Sequence, residues 1–340
     1  MRPTTDGPID FVTGAPGAGS LAVDWIHGTA SRRGGGPPLQ VHQYDEHTVI
    51  LRQSMAVNYE APFIFLLFGN DRALLLDTGA TADATIFPLR ATVDRLVAEW
   101  LDRHPGEQGE RGGHGEHGGR REPYGLVVAH THGHGDHVAA DGQFADRPAT
   151  TVVPREAEAV GSFFGFEPDR PLDTVTFDLG GRVLEILPSP GHHRAAITVY
   201  DPWSGILFTG DTVLPGRLYV EDHAAFRATV ERMVEFAGTH PVTHVLGCHV
   251  EMSRRPGGEY PIGATYQPDE RVPEMTVAQL VAVRDATVAV AGRPGVHRFD
   301  DFVIYNEPRK TDMRKLVARG LAHQLASPVL RLLPGTRRRG

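Results

Sequence analysis

The stretch His130-Thr131-His132-Gly133-His134-Gly135-Asp136-His137 packs four histidines and an aspartate into eight residues loosened by two glycines. Neutral imidazole and carboxylate are the ligands that borderline divalent ions such as Zn²⁺ prefer, and a hydrolytic centre needs several of them converging with one coordination position left open. His132 and His134 are two apart, so an extended backbone turns both rings to one side, while Gly133 and Gly135 ease the turn that brings in Asp136 and His137. The apolar run Tyr124-Gly125-Leu126-Val127-Val128-Ala129 precedes the histidines and reads as a buried strand. They therefore fall at a strand's carboxyl end, where α/β proteins build their sites, and one segment so placed can serve two adjacent metals. The histidines at 114 and 117, by contrast, sit in a run of Gly, Glu and Arg that reads as solvated loop.

A metal site needs more ligands, and three later stretches offer them at strand ends. Leu184-Glu185-Ile186-Leu187-Pro188-Ser189-Pro190-Gly191-His192 is a strand, a turn and a histidine; Ile206-Leu207-Phe208-Thr209-Gly210-Asp211 and Val245-Leu246-Gly247-Cys248-His249 repeat the pattern. Each alone is ordinarily a turn or a helix cap. Joined in this order to Thr131-His132-Gly133-His134-Gly135-Asp136-His137, they resemble the metallo-β-lactamase superfamily, and Leu74-Leu75-Leu76-Asp77-Thr78-Gly79 resembles the early strand whose aspartate supports the site. The resemblance covers roughly residues 40 to 255 and rests on five ordered motifs. It implies an α/β (α+β) chain folded as a four-layer αββα metallo-β-lactamase sandwich. It further implies that His132, His134 and His192 hold one metal and Asp136, His137 and His249 the other, with Asp211 bridging. Two Zn²⁺ are the expected cofactors, and Fe or Mn suits the same donors.

Neighbours of these ligands read differently. His130 continues the strand face two residues before His132 and reads as a buried partner orienting a ligand ring. His193 is open between solvent and pocket wall. Cys248 points away from its neighbour His249 and reads as a small core residue. Arg217, Tyr219 and the polar, aromatic stretch from 250 to 270 are candidates for the pocket lining, the last equally readable as surface loop.

At 340 residues the chain has room for one large domain with extensions, and no repeat is visible. We expect a flexible N-terminal extension over 1–38, ending in Gly34-Gly35-Gly36-Pro37-Pro38, then the main domain over 39–306. Within it, 102–121 reads as disordered loop, and 307–340 as a C-terminal helix and basic tail. Phe63–Phe68 and Ala73–Leu76 read as a hairpin. Helices are expected over 85–100, 224–236, 276–291 and 309–324, and a strand over 299–305. A single cysteine excludes an internal disulfide, and the first ten residues lack a basic-then-apolar signal, which makes the cytoplasm the expected compartment. No apolar run approaches the ~18 residues of a membrane span, and a net charge of −8 argues against a nucleic-acid partner.

The expected function is a dinuclear metal-dependent hydrolase acting on an ester, lactone or thioester of a small molecule. Two cations sharing a water lower its pKa enough to supply hydroxide near neutrality, and the resemblance adds Asp136 as the catalytic group that carries the proton to the leaving group. A phosphodiesterase of the same superfamily is an alternative, although only 37 residues separate Asp211 from His249, too few for an added nucleic-acid domain. Antibiotic-hydrolysing relatives differ at the bridging position that Asp211 occupies, and quorum-quenching lactonases have a tyrosine where Thr212-Val213-Leu214 stand. An iron-dependent sulfur dioxygenase is the alternative from another class, although it would not need Asp136, His137 and His249 together. Flavodiiron proteins differ at His134. Oligomeric state is not legible.

Overall fold

Phe63-Ile64-Phe65-Leu66-Leu67-Phe68 is apolar at every position, so a strand made from it must be covered on both faces. A computed structural model describes residues 8–14, 19–29, 35–104, 123–167, 169, 170 and 172–330, and there all six are buried. The first half of the chain runs β1 (Leu39–Asp45), β2 (Thr48–Gln53), β3 (Phe63–Phe68), β4 (Arg72–Leu76), α1 (Leu89–Arg103), β5 (Gly125–Ala129), α2 (Gly135–Val138) and β6 (Thr150–Val152). Then come α3 (Ala157–Phe164), β7 (Val175–Asp178), β8 (Val183–Pro188), β9 (Ile197–Asp201), β10 (Ile206–Gly210), β11 (Arg217–Val220), α4 (His223–Thr239) and β12 (His244–Gly247). The chain continues through β13 (Glu274–Met275), α5 (Val277–Ala289), β14 (Gly295–Arg298), β15 (Val303–Asn306) and α6 (Lys310–Leu330).

Strands β1 to β6 form one sheet in chain order, and β13-β12-β10-β9-β8-β7 a second. Side chains alternate across each sheet. Phe63, Phe65 and Leu67 face Ile186, Val199 and Phe208 of the other sheet, whereas Ile64, Leu66 and Phe68 face outward. The outward set meets Val93, Leu96, Val97 and Trp100 of α1, which recur at helical spacing. On the far side, Tyr200, Leu207 and Val245 meet Phe226 and Val230 of α4 and Leu280 and Val283 of α5. The layers are thus helix, sheet, sheet, helix, as the sequence resemblance implies. A third sheet, β11-β15-β14, pairs β11 with β15 in parallel. In each main sheet two site-bearing strands are parallel neighbours, β4 beside β5 and β10 beside β12, and β8, which leads to His192, runs the same way across the antiparallel β9, so their carboxyl ends lie on one side.

The expected hairpin is β3 and β4. Helix α1 begins after Pro88 rather than at Thr85, and it includes Asp102 and Arg103, which were expected to open a loop; from 105 to 121 that loop lies outside the described residues. The expected strand over 299–305 is a hairpin, β14 and β15, with 299–302 as its turn. The N-terminal expectation also needs correction. Residues 8–14 and 19–29 are held on the domain: Ile9 N donates to Asn70 Oδ1 at 2.8 Å, Phe11 sits edge-on between His47 and Trp203, and Trp25 packs edge-on against Phe63 at 4.9 Å. Two large aromatic side chains with slots in the core outweigh the ordering cost that the surrounding Gly and Pro residues suggested.

Arg182 pins the two sheets from within. Its guanidinium donates to the carbonyls of His47 and Phe68 in the first sheet, to Thr48 Oγ1, and in a fork to Asp201 at the end of β9. Both partners are buried, and breaking such a pair strands a charge in the core. Arg182→Met is expected to cost about 3–5 kcal/mol of unfolding free energy, read from denaturant melts. His47 adds a pH dependence. Burial, helped by Arg182, pushes its imidazole down to about 3, and its Nδ1 accepts the Trp100 indole N–H at 3.1 Å. Below the ordinary histidine value near 6.5 the unfolded chain gains a proton that the folded chain refuses, so stability falls as pH drops from there toward 3. Between pH 6.5 and 5 the wild type should lose up to about 1.4 kcal/mol per pH unit more than His47→Gln. Equal slopes would refute a buried neutral His47.

Candidate metal centre

The site begins with a buried carboxylate. Asp77 follows β4 directly, and its backbone lies in the left-handed region (φ 69°), a conformation that costs a residue with a Cβ and persists where surroundings demand it. Its side chain is fully buried and accepts Thr131 N at 2.7 Å, Thr131 Oγ1 at 2.8 Å, His137 Nδ1 at 2.9 Å and the Cys248 thiol at 3.2 Å. Those four contacts tie the ends of β4, β5 and β12 together. Thr131 O in turn accepts Ile197 N from the second sheet at 2.8 Å. Strand β10 passes so close that a Cβ on Gly210 (φ 55°) would meet Thr131 at 2.6 Å, so this position needs glycine. Gly191 (φ 130°) is required in the same way by the α4 backbone at Phe226, and the close turn it makes delivers His192.

All seven expected ligands converge. His132, His134 and His192 form one group and Asp136, His137, Asp211 and His249 a second, each with its donor atoms within 4.8 Å of one another. His192 Nε2 lies 3.2 Å from both His132 Nε2 and His134 Nδ1, and those two are 2.9 Å apart. In the second group His249 Nε2 is 3.3 Å from Asp136 Oδ2 and 3.4 Å from His137 Nε2. Asp211 stands between the groups: its Oδ2 is 3.5 Å from His137 Nε2 and 4.0 Å from His192 Nε2.

The donor set fits cations. His137, His192 and His249 each spend the Nδ1 proton on an oxygen outside the centre: Asp77, the Tyr219 carbonyl at 2.8 Å and the Glu60 carbonyl at 2.9 Å. A neutral imidazole has one N–H, so each turns a bare Nε2 lone pair inward. Asp211 Oδ1 is buried with no hydrogen-bond partner among the described residues. Converging lone pairs and an orphaned carboxylate oxygen are repulsive without positive charge among them. The electrostatics agree. Without an ion the centre draws a proton instead: burial alone would depress the His249 imidazole, but Asp211 and Asp136 outweigh it and push it up to about 10, and a bound cation would take the place of that proton. Another cluster, Glu46, His47 and His104, does not fit, because His47 Nδ1 already accepts the Trp100 N–H and its remaining nitrogen must carry the proton.

The neighbouring residues fall differently. His130 is buried but reaches Asp141 at 3.2 Å rather than a ligand ring; the orienting role expected of it belongs to Asp77. Half-buried His193 lies 5.0 Å, ring to ring, from His134 and is not among the residues that line the cavity above the ligands. Cys248 is a buried core residue, as expected, with its thiol on Asp77. A cavity of about 420 Å³ opens over the ligands, lined by Arg217 and Tyr219 as expected and by Glu251 and Ile262 of the 250–270 stretch. That stretch is held down: buried Arg52 of β2 forks onto Glu270, and Tyr260 N donates to Glu251 O. Glu60, Pro308 and Met313 also line the cavity, and sequence reasoning missed all three. Nothing periodic marks Glu60, while Pro308 and Met313 reach the site only because β15 pairs with β11.

A pocket with two ligand groups at the strand ends of an αββα sandwich defines a class of metal-binding proteins. The chain matches the metallo-beta-lactamase superfamily over residues 59–292 and belongs to that superfamily. Hydroxyacylglutathione hydrolase of Synechococcus sp. (strain JA-3-3Ab) is 34% identical over 100 residues, 27% of this chain and 36% of that protein, so the chain spans little more than a third of this relative. Acyl-coenzyme A thioesterase MBLAC2 of Gallus gallus is 27% identical over 209 residues, 56% of this chain and 72% of that one. Among solved structures, a metallo-beta-lactamase from Pontibacter korlensis aligns with a TM-score of 0.44 and 16% identity, over 74% of this chain and 99% of that one. Among the described residues no helix is long and apolar enough to cross a membrane.

Asp77→Asn keeps the shape but removes the charge that orients His137. An ion offered to the Asp136, His137 and His249 group should bind about 10- to 100-fold more weakly, measured by competition with a chelator, while one offered to the His132, His134 and His192 group should bind near wild type.

Proposed function

We propose that this chain is a dinuclear hydrolase with zinc as its metal, cleaving a thioester of a small molecule. His132, His134 and His192 hold one ion, Asp136, His137 and His249 the other, and Asp211 both. The observation that carries this reading is the pair of donor groups 3.5 to 4.0 Å either side of Asp211 Oδ2, with bare imidazole nitrogens facing in. When bound, two such ions supply an acidified water and polarise the substrate carbonyl. Among esters, lactones and thioesters, the last is supported by the relatives, which by name act on an acylglutathione and on acyl-coenzyme A.

The chain's own residues do the rest. Leu214, Val220, Ile262 and Met313 give the cavity an apolar side against which an acyl group excludes water. Asp136, with a quarter of its side chain exposed at the cavity, is placed to move the proton. As a metal ligand its carboxyl is ionised, so it must accept a proton before passing it to the leaving sulfur.

Metal analysis of protein purified without added metal, alongside a panel of thioesters, lactones and phosphodiesters, tests the reading. About two zinc ions per chain are expected, with thioester turnover abolished by chelation and lowered by about 100-fold or more in His134→Ala. A single iron per chain and no hydrolysis would overturn it in favour of oxidative chemistry.

A further inference from the structure

The charges of the cavity wall point to a restriction on substrate. Arg217 is the one Lys or Arg side chain among the described residues that line the cavity, and each of its three nitrogens already donates within the protein: Nε to Glu259, Nη1 to Glu251 and Nη2 to the Tyr260 carbonyl. The Arg217 side chain is 2% exposed. A buried Arg held by two carboxylates and a carbonyl has no fork left for a ligand anion. The same wall presents Glu60 and Glu221, and neither has an Arg or Lys ion-pair partner among the described residues. Glu60 is half-buried beside His249, whereas Glu221 is exposed at the rim, and its backbone N–H donates to Gly191 O beside His192. Opposite stand the apolar Leu214, Ile262 and Met313.

We propose that the cavity selects substrates whose non-reacting part is apolar and either uncharged or cationic, and rejects groups bearing a carboxylate or phosphate. This rests on the metal-centre reading, which places the reacting carbonyl at the ligands and the remainder of the substrate against this wall. An anionic tail there would meet like charge and no unpaired cation, a juxtaposition unfavourable enough to govern choice of ligand. The restriction bears on the relatives directly. The thiol portion of an acylglutathione carries two carboxylates and that of an acyl-coenzyme A carries phosphates, so either substrate would fit this chain only if that portion stayed outside the cavity.

The test measures binding rather than turnover. Hexanoate, 6-aminohexanoate and adipate share six carbons and one carboxylate for the metals, and they differ at the far end: apolar, cationic or anionic. Calorimetry on the metal-loaded protein should rank them in that order, with adipate weaker than hexanoate by about tenfold or more. Added salt should narrow the difference between the two charged tails. Glu221→Gln and Glu221→Lys should each narrow it too, the lysine more. Adipate binding as well as 6-aminohexanoate, or a difference unmoved in both variants, would overturn the proposal. Because the readout is binding, a failure of every thioester to react would count against the hydrolase reading alone.

Discussion

Asp77 is the constraint on which the site depends. A carboxylate with no solvent access is tolerable only where several donors surround it, and here a backbone N–H and a hydroxyl after β5, an imidazole from α2 and a thiol after β12 do so. To receive them, the backbone at Asp77 adopts a conformation that few residues with a Cβ occupy. Local strain is thereby exchanged for long-range register: the segment from 130 to 137, the end of β4 and the end of β12 cannot move independently. His137 gains its tautomer from the same contact, which turns Nε2 toward the centre.

A second buried carboxylate, Asp201, does comparable work at the opposite edge of the sandwich. There the guanidinium of Arg182 closes the fork and also caps two carbonyls of the first sheet, at His47 and Phe68. The interface between the sheets is otherwise apolar, and apolar packing resists separation better than sliding. Directional contacts at both edges fix the register. The ligand loops of one sheet thus stay opposite those of the other, which a centre assembled from both sheets requires.

Above the ligands the architecture changes character. The wall is built from β11, from the stretch after His249 and from the start of α6, held by ion pairs that radiate from Glu259 to Arg217, Arg298 and Arg319. Arg298 and Arg319 reach it from exposed positions and stabilise little by themselves, whereas Arg217 is buried and loses its partners only at a large cost. The inner part of this network is therefore rigid and its outer part replaceable. This layer, rather than the sandwich, supplies most of the cavity wall that faces away from the ligand cluster.

Through the five ordered motifs of its resemblance, the amino-acid sequence by itself determined the sandwich and the seven side chains that the fold gathers at one centre. Strands apolar at every position must be covered on both faces, and imidazoles and carboxylates at the ends of such strands have little use except to share a cation. Asp77 was legible too, through its place after Leu74-Leu75-Leu76. Tertiary structure decided what surrounds the metals. It decided that Asp77 rather than His130 orients a ligand, that Phe11 and Trp25 hold the N-terminal segment on the core, and that Glu60, Pro308 and Met313 reach the cavity. None of these has a periodic signal, because each depends on which distant segment the chain folds beside. Arg217 shows the difference most plainly: its sequence position suggested a basic pocket residue, and only the fold, by placing Glu251 and Glu259 against it, removed its charge from the wall. A side chain's chemical type is fixed where it is encoded, but its charge acts on a ligand only as far as its neighbours in space leave it free.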